Sequence, residues 1–353
     1  MSGLCRVNSL KQTVSDWCFN RKCNNILFMR ISGNRLTQTY NKTYSRPISC
    51  EVISSQLEFK PLTLSDIPLL RKYMEYNSGR TCDYTLGGMF MWIDYFAYEY
   101  AIVNDTLFIK GISENHPEMV AFSLPLGKLP LKDAVTMIKE YCRSNGLRPA
   151  FSAIPEEKAH EIADLCDGHI EILEGWSDYL YDASSLAILT GKAYSKKRNH
   201  VNRFLNDNPD AILEMLTADN IEEARAFLEK VNLSEKEDQD TASYELSQCK
   251  DVLDNLNLYL FDGAILRDQQ GKICALTLGE VVGDTLYVHI EKMDHEVPGA
   301  GETVNKLFAG EMLNRYSGIN YINREEDMND AGLRFAKESY HPCALLHKCN
   351  VIV

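Results

Sequence analysis

The side chains best suited to chemistry lie in one short stretch, Thr285-Leu-Tyr-Val-His-Ile-Glu-Lys292. Read as a strand, it alternates: Tyr287, His289 and Glu291 point to one side, and Leu286, Val288 and Ile290 to the other. An imidazole and a carboxylate on one polar strand face are natural candidates for a base that takes a proton from an amine or hydroxyl. Each also has an ordinary structural reading, His289 as a hydrogen-bonded core histidine and Glu291 as the partner of a Lys or Arg. Glu280 ends the preceding strand, where it can hold a substrate amine or stand as a surface charge. The stretch runs on into a glycine turn, Glu296-Val-Pro-Gly-Ala-Gly301, and a helix, Glu302–Arg315. A helix that starts after such a turn presents free backbone N–H groups to an anion. Asn305, early in that helix, is a further substrate-binding candidate.

A second constellation is basic. As a helix, Gly191–Phe204 carries Lys192, Lys196, His200 and Arg203 along one face, because helix neighbours lie three or four positions apart. With Lys197 and Arg198 this stripe suits the phosphates of a nucleotide or RNA, and it equally suits a solvated charged face. Lys292 and Lys337 are further phosphate candidates. Near the other end of the chain, Arg324, Glu325 and Asp327 form a charged strand end, and Tyr340 closes the helix that follows. Tyr340 can protonate a leaving group or pack on Pro342. His341, Cys343, His347 and Cys349 resemble metal ligands, but along one continuous strand the outer pair lies roughly 26 Å apart. No single zinc ion spans that distance, and no metal is expected.

The elements that position these groups occupy a chain of 353 residues with a net charge of −13, long enough for two domains. Residues 1–55 hold eight Lys and Arg against Asp16 and Glu51, so the remainder is more acidic still. That segment shows no sustained periodicity and reads as a basic extension without a fold of its own. No stretch reaches the roughly 20 apolar residues of a membrane span, which leaves peripheral contact as the route to a membrane. The 11 cysteines are odd in number and irregular in spacing, which points to a reducing, cytoplasmic setting.

Folding is expected to begin near Gln56, with a strand at Leu57–Lys60 and a helix capped at Ser65-Asp66 that runs to about Tyr76. Aromatic residues crowd Tyr84–Tyr100, as core and interface or as a ligand platform. Strands follow at Tyr98–Val103, Thr106–Lys110, Met119–Leu124, Pro149–Ala153, Ile170–Leu173 and Tyr179–Tyr181, with helices at Leu131–Asn145 and Glu156–Cys166. The pattern then repeats: strand Ile212–Leu216, helices Ile221–Val231 and Ser243–Asn255, and a hairpin of Leu258–Arg267 with Ile273–Val281. The central stretch comes next, then strand Tyr321–Arg324, helix Asp330–Tyr340 and a closing strand Ala344–Val353. This order gives a mixed α/β (α+β) chain with a duplicated arrangement, divided as 56–190 and 191–353.

Four stretches are more specific: Tyr194-Ser-Lys-Lys-Arg-Asn-His-Val-Asn-Arg-Phe204, Gly279-Glu280, His289-Ile-Glu-Lys292, and Asn323-Arg-Glu-Glu-Asp327 with Gly332-Leu-Arg and Ser339-Tyr-His-Pro342. Together they resemble a bacterial family of unassigned function related to the C-terminal catalytic domain of phosphatidylglycerol lysyltransferase. The resemblance covers the chain from about Gln56 to its end. It implies two tandem GNAT-like acyltransferase domains, each a mixed, mostly antiparallel sheet flanked by helices, as in the Fem peptidyltransferases that draw on aminoacyl-tRNA. It implies a catalytic second half and an aminoacyl-tRNA or acyl-CoA donor. Acceptors open to such an enzyme are small molecules, peptides and lipid head groups. Gly299 and Gly301 match the glycines of the GNAT acyl-CoA loop, but Glu296 stands at its Gln/Arg position and Glu302 opens the helix. Those carboxylates repel a pyrophosphate, which favours aminoacyl-tRNA over CoA. A CoA-dependent N-acyltransferase and a non-catalytic binding module on the same fold are the alternatives.

Overall fold

Short runs of alternating apolar residues become strands, and runs with apolar residues every three or four positions become helices. In Leu131–Asn145 the buried residues are Ala134, Val135, Ile138 and Cys142, and the helix stops at Gly146, whose φ of 65° is left-handed. The computed structural model describes residues 56–113, 115–116, 118–232 and 239–353. The expected extension 1–55 lies outside the described residues.

The strands are β1 (Lys60–Pro61), β2 (Glu99–Val103), β3 (Thr106–Ile112), β4 (Val120–Phe122), β5 (Leu126–Gly127), β6 (Pro149–Pro155), β7 (His169–Ile172), β8 (Asp178–Asp182), β9 (Ile212–Met215), β10 (Asp262–Arg267), β11 (Ile273–Val282), β12 (Thr285–Met293), β13 (Tyr321–Asn323), β14 (Ala344–Leu346) and β15 (Lys348–Ile352). The helices are α1 (Ile67–Met74), α2 (Leu86–Phe90), α3 (Leu131–Asn145), α4 (Glu156–Cys166), α5 (Ala183–Ile188), α6 (Ser195–Asp207), α7 (Ile221–Asn232), α8 (Gln239–Asp254), α9 (Leu256–Tyr259), α10 (Ala300–Arg315) and α11 (Ala331–Glu338).

They build two mostly antiparallel sheets. One runs β1-β2-β3-β4-β6-β15-β7, with β5 added to β3; the other runs β14-β8-β13-β12-β11-β10-β9. Each contains one parallel pair, β4 with β6 and β12 with β13. Counted from the hairpin end, the two orders are the same, and the sixth strand of each comes from the other half of the chain. β15, the last strand, sits between β6 and β7, while β8 sits between β13 and β14. A division at 190/191 therefore does not separate the two sheets.

This exchange corrects the expected closing strand. Ala344–Val353 is two strands broken at His347, one in each sheet, so His341, Cys343, His347 and Cys349 do not share a face. Cys349 is buried, His347 accepts or donates a hydrogen bond with Ser177 at 2.9 Å, and the Cys343 thiol faces the Leu180 carbonyl. Other boundaries shift modestly. The first strand shortens to Lys60–Pro61; Leu256–Tyr259 is helical ahead of β10; α10 begins at Ala300 rather than Glu302. The first helix begins after a turn capped by Thr63 and Asp66. Among the described residues no cysteine is in a disulfide: six are buried, and Cys343 is exposed.

Most of the aromatic segment packs into the core, with Tyr95 exposed. Tyr84, Phe90 and Tyr100 join a cluster with Phe227, Leu228, Val252 and Tyr259, and Trp92 stacks on Tyr244 of α8 at 5.6 Å between ring centroids. This shared core fills the inner faces of both sheets. The outer face of the first sheet packs on α3 and α4, and the outer face of the second packs on α5, α6 and α10.

Candidate active site

The site begins with an irregularity in β12. Against β11, Leu278 pairs with Ile290 and Gly279 with Val288, so His289 is the extra residue of a β-bulge. A bulge resets the alternation of the residues beyond it. Tyr287 and His289 face the inner side, with Glu280 of β11, whereas Glu291 turns to the outer side with Leu286 and Val288, facing α10. The expectation that His289 and Glu291 share one face is corrected by this single inserted residue. Lys292, in turn, falls on the side of Ile290, away from Glu291.

His289 is a buried cation. Its Nδ1 lies 2.7 Å from Glu325 Oε1 and its Nε2 lies 3.0 Å from Glu280 Oε1, and its side chain is 1% exposed. Burial opposes its charge, but the hydrogen bonds to Glu280 and Glu325 prevail and raise its pKa to about 10. A histidine already protonated on both nitrogens accepts no further proton, so His289 is removed from the list of bases. Glu280 also accepts the Gly87 N–H at 2.7 Å, and a side chain at Gly87 would collide with the His289 ring. Phe261 stacks on the imidazole at 5.3 Å. Glu280, His289 and Glu325 are thus an ionic strut within the second half, tied to the first half through the Gly87 N–H, and Glu325 is held there in a left-handed conformation, with φ 58°.

On the outer side a different cluster converges. β12 and β13 pair over only three residues, Thr285 to Tyr287 against Tyr321 to Asn323, and then part. Glu291 and Arg324 stand at the parting. Arg324 Nη2 donates to Glu291 Oε1 at 2.7 Å, Asn305 Nδ2 donates to Glu291 Oε2 at 3.3 Å, and the Arg324 guanidinium lies 5.0 Å from the centre of the Tyr340 ring. Lys197 lies 4.0 Å from the same ring and 3.5 Å from Glu302. Burial lowers the Lys197 pKa, an effect that Glu302 partly offsets. Burial also raises the Tyr340 phenol above its usual range, so Tyr340 keeps its proton. Several buried polar atoms here lack a partner: Arg324 Nη1, Asn305 Oδ1, and the hydroxyl of Thr277, which pairs across the strands with Glu291. Unpartnered buried polar groups are costly, and their concentration at one parting marks a place shaped for a polar ligand.

The remaining candidates are placed less centrally. On α6, Lys197 turns inward and His200 approaches Glu302 at 3.4 Å; Lys196 and Arg203 are exposed, and Arg203 lies 3.7 Å from Asp207. Arg198 donates to the carbonyls of Leu189 and Gly191, a structural task. Gly299 adopts φ 85°, and a Cβ there would lie 2.5 Å from the His200 carbonyl oxygen; a Cβ at Gly301 would strike Met293. Gly299 lets α6 cover the start of α10 and Gly301 makes room for Met293 of β12, so their packing accounts for them without an anion. Asp327 accepts from Tyr179 at 2.6 Å and from Arg334 at 2.8 Å and 2.9 Å, and Arg334 chiefly lowers its pKa to about 2. It anchors the loop after β13. Lys337 is buried, with its ammonium on the carbonyls of Arg324 and Glu326. A groove of about 450 Å³ beside α5, β9 and α10 lies away from all of these groups.

One cluster went unnoticed in the sequence. Lys348, wholly buried, lies 2.7 Å from both Asp178 and Asp83 and 3.3 Å from Glu326 and the Cys82 thiol. Burial raises Asp178 to about 6, while Glu326 falls to about 2, with burial opposed chiefly by Lys348. Cys82, Asp83 and Asp178 have the spacing of metal ligands, but the Lys348 ammonium already lies among them. Its sequence signal was a lysine set among the largely apolar residues of the closing strand.

The family model named Phosphatidylglycerol lysyltransferase, C-terminal, matches residues 76–348. A conserved protein of unknown function from Bacteroides thetaiotaomicron VPI-5482 is 28% identical, with a TM-score of 0.76 over 84% of this chain and 100% of that one. L-PGS from Bacillus licheniformis is similar in fold, with a TM-score of 0.56 at 14% identity over 81% of this chain and 91% of that one. An uncharacterized protein of Mycoplasmoides gallisepticum is 26% identical over 185 residues, 49% of this chain and 55% of that protein. The chain thus spans about half the length of that curated relative.

Proposed function

The chain belongs to the family of the phosphatidylglycerol lysyltransferase C-terminal domain, and from that membership we propose that it is an aminoacyltransferase whose reacting groups meet where β12 and β13 part. The donor is an aminoacyl-tRNA, and the acceptor is an amine or hydroxyl of a lipid head group, peptide or small molecule. The observation that carries this reading is the set of unpartnered buried atoms beside Glu291. Asn305 Oδ1 accepts from the aminoacyl α-amine, and Arg324 Nη1 donates to the carbonyl oxygen as negative charge develops on it. The acceptor attacks the ester carbonyl carbon and gives its proton to Glu291. The bond to the ribose oxygen then breaks, and that oxygen leaves with a proton from Tyr340, which burial keeps protonated. Lys197 and the exposed Lys196 and Arg203 hold donor phosphates.

Charged tRNA is therefore expected to bind with a steep salt dependence. Replacing Lys196 and Arg203 together by Gln should weaken binding and flatten the salt slope by about 1–2, with little change in melting temperature, because both are exposed. Acetyl-CoA serves as the control. A ligand at a hundred times its dissociation constant adds about 2.7 kcal/mol of stability, so a thermal shift with acetyl-CoA and none with charged tRNA would overturn the reading. Glu291→Gln should lower transfer by about 10²–10⁴-fold, the range of a lost general base.

A further inference from the structure

Beneath Glu291 and Asn305, where the two strands part, lies a cavity of about 10 Å³, room for one water molecule or one methyl group. Leu286, Phe308, Ala309 and Ile322, each 2% exposed or less, form its apolar wall. Glu291 is its one titratable lining residue, and both its carboxylate oxygens are engaged, by Arg324 and Asn305. Asn305 is 6% exposed, and its Oδ1 has no partner. A polar rim with unsatisfied groups over a methyl-sized apolar floor is the shape of an amino-acid subsite.

We propose that this cavity receives the side chain of the transferred aminoacyl group and selects a small apolar residue, alanyl or glycyl in size, over a lysyl one. The inference rests on the aminoacyl-transfer reading. With the α-amine at Asn305 Oδ1 and the carbonyl oxygen at Arg324 Nη1, the remaining substituent on the α-carbon meets the wall of Leu286, Phe308, Ala309 and Ile322. A lysyl chain is far longer than the cavity, and its ammonium would meet no free acceptor there, so its desolvation goes uncompensated. Even one surplus methylene in a filled apolar pocket discriminates by roughly 10–200-fold.

The test uses stable donor mimics and the full chain, so that the acceptor need not be known. 3′-Amino-3′-deoxyadenosine, acylated on its 3′-amine with alanine, glycine or lysine, is titrated by calorimetry. The alanyl and glycyl amides should bind at least about 10-fold more tightly than the lysyl amide. Ala309→Val fills the cavity and should weaken the alanyl amide more than the glycyl one. Ile322→Val enlarges the cavity slightly and should leave both bound, which guards against misfolding of the filled variant. Equal or tighter binding of the lysyl amide overturns the inference but leaves aminoacyl transfer standing, as does an alanyl-to-glycyl ratio that ignores Ala309→Val in a folded protein. Binding of none of the three by the folded wild type overturns the aminoacyl-transfer reading, and the subsite with it.

Discussion

His289 carries a pH dependence that follows from its two carboxylate partners. Its folded-state pKa of about 10 lies above the unfolded value of 6.5. The stability it supplies is therefore complete below pH 6.5 and is lost as the pH rises from there to 10. His289→Gln, which cannot hold the charge, should cost about 3–5 kcal/mol near pH 6, because Glu280 and Glu325 are left buried without their cation. The gap between variant and wild type should narrow towards pH 10. Chemical denaturation across that range checks this; a gap independent of pH would mean that the imidazole is neutral in the fold. Glu291, two residues on, is the opposite case. Its contacts with Arg324 and Asn305 orient one carboxylate toward a parting of strands where other polar atoms remain unsatisfied.

At the scale of elements, the site depends on how closely α6 lies over the start of α10. Gly299 permits that approach twice over, through its left-handed φ of 85° and through the missing Cβ that would meet the His200 carbonyl. Gly299→Ala should destabilise the protein by about 1–3 kcal/mol and push α6 outward, taking Lys197 off the Tyr340 ring. A melting curve reads the first effect. The second appears as weaker donor binding that added Lys or Arg elsewhere on α6 does not restore. The bulge at His289 is the other element-scale device, since one extra residue in β12 sends the ionic strut inward and the Glu291 carboxylate outward.

At the scale of the molecule, the reciprocal exchange of β8 and β15 makes each half incomplete without the other. The two exchanged strands meet through Lys348 and Asp178, 2.7 Å apart and both fully buried. Lys348→Met should cost about 3–5 kcal/mol, as removal of one member of a buried ionic cluster does. Residues 1–190 and 191–353 produced separately should fail to fold, and produced together they should associate and recover the melting transition of the whole chain. A soluble, cooperatively melting half on its own would refute the exchange. No helix among the described residues is long and apolar enough to cross a membrane.

Local pattern carried much of this protein. Alternating and helical periodicities located most elements to within a few residues, because burial of one face imposes them on the sequence whatever the partner. The duplicated order and the nearness of Arg324 to Tyr340 were readable from the chain, whereas Glu325, expected beside them, turns to His289 on the other side of the sheet. The pairing of β15 with β6 was not readable, because a five-residue strand fits either sheet and only long-range hydrogen bonds choose between them. Nor was the bulge, which one extra residue creates without disturbing the alternation visible in Thr285–Lys292. The charges of His289 and Lys348 were hidden for the same reason. A titratable group takes its state from carboxylates brought within 3 Å or so by the fold, here from positions 9 to 265 residues away in the chain.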